Sequence, residues 1–100
     1  MPASKRKKRP EIDGIERLLA PQFENVKAYR YNSASIRVRV VDPCFDGLDP
    51  ARREAKVLKL LKQLPEDVQS DITMLLLLTP DEMSGSLLNL EFEDPSPSML

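Results

Sequence analysis

Residues 35–82 read SIRVRVVDPCFDGLDPARREAKVLKLLKQLPEDVQSDITMLLLLTPDE, and their pattern decides the fold. Ser35 to Val40 alternates strictly, so Ile36, Val38 and Val40 share one face of a strand and Ser35, Arg37 and Arg39 the other. Asp42 to Leu48 is turn material, in which Gly47 supplies a positive φ and Phe45 folds back into the core. Asp49-Pro50 opens the main helix, with the acid as cap and proline at the first position. Its buried stripe is Val57, Leu60, Leu61 and Leu64, with Leu58 on the flank, and Pro65 stops it. Residues 66–70 make one further turn. Ile72 to Leu78 is a strand by its length, its β-branched start and the cap that follows. Its lack of alternation predicts burial on both faces. Thr79-Pro80-Asp81-Glu82 is a capping box that starts a short helix ending near Ser84-Gly85.

Working outward, Pro10 to Ala20 forms a helix that buries Ile12, Ile15, Leu18 and Leu19 and ends at Pro21. Residues 26–41 form a hairpin turning at Asn32-Ser33-Ala34. Its apolar face meets helices, which leaves Arg37 and Arg39 on an open face. Tyr29, Arg30 or Tyr31 joins them, according to a register the sequence does not fix. The second face of strand 72–78 needs a cover, supplied either by Leu87 to Phe92 or by a second copy of the chain. The expected architecture is α+β: a small three-stranded mixed sheet in the order α-β-β-α-α-β, with helices on one face. One domain spans residues 10–92, between a flexible basic tail at 1–9 and an acidic, Pro- and Ser-rich tail at 93–100.

One hundred residues, 41% of them hydrophobic, suffice for one modest core. The longest apolar run is Met74 to Leu78, too short to span a membrane, and no apolar stretch follows the basic start. A single cysteine excludes an internal disulfide and suits a reducing cytoplasm, and without histidine an ordinary zinc site within one chain is not expected. No cofactor is expected. Charge is segregated. Residues 1–39 carry a net +6, residues 40–63 a net +1, and residues 64–100 a net −8 with no lysine or arginine. This asymmetry fits either an electrostatically oriented partner or adjacent solvated faces of opposite sign.

The order of elements, and the motifs of residues 36–82, resemble the BolA family, whose α/β domain is related to type II KH domains. The family's strand end followed by Phe-x-Gly is similar to Val40 through Gly47, and its closing Thr-Pro-x-Glu matches Thr79 to Glu82. The resemblance implies binding to monothiol glutaredoxins with a shared iron–sulfur cluster. The cluster ligands would be a C-terminal histidine and a His or Cys in the loop between the first two strands. Here the histidine position is Asp71, the Arg-His of the main helix falls on Arg53-Glu54, and the short turn at 32–34 holds no ligand. Cys44 lies in a different loop, between Asp42 and Asp46. Those acids raise its pKa and mark it as an ordinary loop thiol. Ligation needs thiolate or imidazole, so the resemblance carries the scaffold without the cluster.

The sequence therefore describes a non-enzymatic BolA-like binding module that acts through a protein partner or single-stranded nucleic acid. The alternative is a glutaredoxin adaptor whose cluster ligands are lost. An enzyme would have to work with exposed carboxylates such as Asp42, Asp46 and Glu54 alone. Candidate nucleic-acid contacts are Lys5, Arg6, Lys7, Lys8 and Arg9 in the tail, and Arg37, Arg39 and Arg53 in the domain. An arginine and tyrosine sheet face reads equally as a solvated edge. A homodimer through the face of strand 72–78 is the third partner expectation.

Overall fold

A computed structural model describes residues 10–94. Helix α1 (Pro10–Leu19) leads into strands β1 (Asn25–Asn32) and β2 (Ser35–Val41). After a 3₁₀ turn at Pro43–Phe45 come α2 (Pro50–Leu61), α3 (Glu66–Asp71), β3 (Ile72–Leu78), α4 (Pro80–Met83) and α5 (Leu87–Glu93). The sheet order is β1-β2-β3, antiparallel between β1 and β2 and parallel between β2 and β3.

The alternation of β2 sets the layering. Ile36, Val38 and Val40 are fully buried against α1 and α2, where Ile12, Ile15, Leu19, Phe45, Val57 and Leu61 complete the core. Phe45 returns from the turn to stack on Phe23 at 5.6 Å, and Gly47 takes φ 79°, the left-handed region expected of it. The start of α2 is capped as its sequence dictates, since the Asp49 carboxylate accepts from the Arg52 N–H at 2.9 Å. The capping box of α4 is complete in both directions between Thr79 and Glu82.

Two features of the fold differ from the sequence expectation or add to it. Leu87 to Phe92, foreseen as one of two covers for strand 72–78, belong instead to a helix capped by Ser86 that packs across the other side of the sheet against β1. The face bearing Arg37 and Arg39 is therefore not open. The second feature is register. Tyr29 pairs with Arg37 and shares its face, whereas Arg30 pairs with Ile36 and points to the helix side. An irregularity between Arg30 and Asn32 brings the Tyr31 ring under Arg37.

Candidate functional site

The residues nominated from sequence fall into separate environments. Lys5 to Arg9 lie outside the described residues. Arg37 and Arg39 sit on the α5 side of the sheet and Arg53 on α2, so the three do not form one surface. Arg37 donates to Tyr29 Oη at 3.0 Å and to the Glu91 carboxylate, and its guanidinium stacks 3.8 Å from the Tyr31 ring centre. Burial works against its charge, but these hydrogen bonds outweigh it and push its pKa up. Arg39, only 3% exposed, donates to Asn25 at 2.9 Å and to Asn89 and Glu93. It also lies 5.9 Å from the Phe92 ring, which meets Tyr29 edge-on. The Arg39 partner holds the Glu93 carboxyl below its ordinary range. Thus α5 presents two carboxylates and an amide to two arginines that β2 buries.

Arg53 is equally engaged. It donates to the Leu48 and Leu77 carbonyls, each at 3.0 Å, and clasps both oxygens of Glu82 at 2.6 and 3.1 Å. Hydrogen bonding from Arg53, followed by the Thr79 backbone N–H, pulls the Glu82 pKa down to about 2. A third cluster went unforeseen. Arg30 reaches from β1 to Glu11 of α1 at 2.9 Å and to Asp71 at the end of α3 at 3.0 Å, while also donating to the Asn32 and Ser33 carbonyls. No short-range pattern signals it, because its partners lie 19 and 41 residues away.

Besides Arg17 on α1, the exposed basic residues among those described are Arg52, Lys56 and Lys59 along α2 and Lys62 at its C-cap. They cannot join Arg37 and Arg39, because the sheet stands between. Beside this stripe, Cys44 and Asp42 line a recess with Lys56 and Lys59. Burial and then Asp42 push the Cys44 thiol up, whereas N–H donors from Cys44 and Glu24 overcome burial and hold Asp42 low. That pairing supplies no activated thiolate. Among the described residues no group of three or more His, Cys, Asp or Glu side chains could hold a metal ion. Likewise no helix there is long and apolar enough to cross a membrane.

A further concave surface is a groove of about 350 Å³ between α2 and β3, floored by Leu58, Leu61, Ile72 and Leu75 and bordered by Glu54 and Lys62. A smaller recess of about 190 Å³ continues it past Arg53 toward Leu77. Because β3 is an edge strand, its alternate residues turn their backbone groups outward into this groove.

No protein-family model and no curated protein matches the sequence. Solved structures do. BolA1 from Arabidopsis thaliana superposes with a TM-score of 0.58 at 18% identity, over 75% of this chain and 98% of that one. The BolA domain of SufE1 from the same plant gives 0.58 at 15%, with the same coverage of 75% and 98%. The solution structure of BolA1 from Mus musculus gives 0.62 at 22%, over 93% of this chain and 80% of that one. The chain has the BolA fold.

Seen as a BolA-like fold, the ion pairs occupy informative positions. Asp71 stands where the resemblance puts the cluster histidine, and Arg30 holds it together with Glu11. The loop that would bring a second ligand is the tight turn at Ser33-Ala34, with the Ala34 N–H bonded to the Asn32 side chain at 2.8 Å. Neither position offers a thiolate or imidazole, the ligands a cluster needs.

Proposed function

We propose that this chain is a non-enzymatic BolA-like binding module that acts through a protein partner. The observation that carries the reading is the internal pairing of the four guanidiniums on and beside the sheet. Arg30, Arg37, Arg39 and Arg53 each meet a carboxylate of the same chain. Phosphate contacts draw on positive charge that is free to replace counterions. Charge already matched inside the domain gains little by that exchange. The groove along β3, with its apolar floor and strand edge, is the kind of surface that protein segments bury. That one similar structure is a BolA domain of SufE1 fits a unit that works beside other protein.

On this reading any contact with nucleic acid falls to Lys5–Arg9 and to Arg52, Lys56, Lys59 and Lys62 of α2. It is weak and steeply salt-dependent. Fluorescence polarisation with single-stranded RNA and DNA across a salt series tests this. Binding confined to low salt is the expected result, and tight binding that survives physiological salt contradicts the reading.

The BolA fold favours one second reading, that of an adaptor to a monothiol glutaredoxin with its own cluster ligands lost. Such an adaptor forms a heterodimer with the cluster-loaded glutaredoxin and changes the visible circular dichroism of the cluster. Two unmixed species and an unaltered spectrum would sink that reading. A lone cysteine fits a reducing compartment for either role.

A further inference from the structure

We infer that the partner seated along the β3 edge is a second copy of this chain, paired about a two-fold axis. The inference rests on the groove being a protein-docking surface and names its occupant. At the C-terminal end of the edge Arg53 takes the outward carbonyl of Leu77, which blocks a strand from pairing there. The next residue, Leu78, and its alternates face β2, the Leu78 carbonyl accepting from Asp42 N–H at 3.0 Å. Outward backbone groups on Thr73 and Leu75 are left between α3 and the Arg53 plug.

That two-residue window is self-complementary. Laid antiparallel about an axis at Met74, Thr73 of each chain stands opposite Leu75 of the other, which allows four backbone hydrogen bonds. The groove wall has the same symmetry. Arg53 near Leu77 and Lys62 beside Gln69 show that α2 runs antiparallel to β3. Glu54, Leu58 and Lys62 follow at intervals of four along the wall, so they form one stripe. Leu58, 44% exposed, is its midpoint. An axis through Leu58 and Met74 stacks Leu58 on its own copy and sets Glu54 of each chain opposite Lys62 of the other. The charge pattern reads the same from both chains, as a closed two-fold interface requires. An unrelated strand would have no need of that palindrome. This contact lies along the edge of β3. It is distinct from the sheet face, part of which α5 covers.

Sedimentation equilibrium on the full chain and on Glu54→Lys, Lys62→Glu and the double variant tests the pairing. Both positions are exposed, so the fold tolerates the swaps, and circular dichroism checks this. Each single swap turns two attractive contacts repulsive and weakens the dimer by about tenfold. The double variant dimerises like the natural chain. An equimolar mixture of the two single variants also regains the dimer, because one then carries only lysines and the other only glutamates. A chain that stays at 11.4 kDa at high concentration overturns the inference, as does a dimer indifferent to the swaps. If the monomer shifts its Thr73 and Leu75 amide resonances with a different extended peptide, self-pairing fails while the docking groove stands. If no strand moves those resonances, both fail.

Discussion

At the residue scale, each basic side chain that the domain draws inward is matched by a carboxylate that arrives from another element. Glu82 shows what this does to titration. Its pKa lies at about 2 against an ordinary 4.5, so the unfolded chain takes up the proton at higher pH than the folded one. The stability it supplies is complete above pH 4.5 and is lost as the pH falls toward 2. We expect Glu82→Gln to destabilise the domain by about 1–2 kcal/mol at neutral pH, a figure held down because the carboxylate is 44% exposed. Urea titrations of both proteins at stepped pH should converge in acid; a constant difference would refute the assignment. Asp71→Asn is a milder change, because Arg30 keeps Glu11. A loss of about 0.5–1 kcal/mol is expected from the same titration at neutral pH.

At the scale of elements, what the sequence made legible and what it hid divide along contact range. The alternation of β2, the Asp49-Pro50 cap and the Thr79–Glu82 capping box are signals carried within a few residues, and each formed where it was read. Helix α5 was hidden because its reason for docking lies 50 and more residues away, in Arg37 and Arg39. The trace in the sequence is the spacing of Asn89, Phe92 and Glu93, which puts an amide, a ring and a carboxylate on one helical face. Burial of Phe92 fixes that helix. Phe92→Ala should cost about 3–5 kcal/mol and loosen α5, as hydrogen-exchange protection across 87–93 would report. The two sheet edges are also managed element by element. On β1 the Ala28 N–H is taken by Glu16 of α1 at 3.0 Å, and on β3 the Leu77 carbonyl is taken by Arg53 at 3.0 Å.

At the scale of the whole molecule, the charge segregation of the sequence is largely consumed within the fold. The acidic C-terminal third supplies Asp71, Glu82, Glu91 and Glu93 to arginines between residues 30 and 53, so the asymmetry works first as an internal clasp. Sequence reading saw the polarity but offered the arginines to an outside anion, because only the tertiary fold shows where the acids go. A BolA fold internally neutralised across its sheet is left with a groove and a basic helix to meet other molecules. The direct test is to titrate the full chain with a single-stranded oligonucleotide at physiological salt while following the arginine Nε–Hε resonances. Arg37, Arg39 and Arg53 should stay unmoved, because each is already paired within the chain. Saturable shifts at these three would contradict this and return the sheet to nucleic acid.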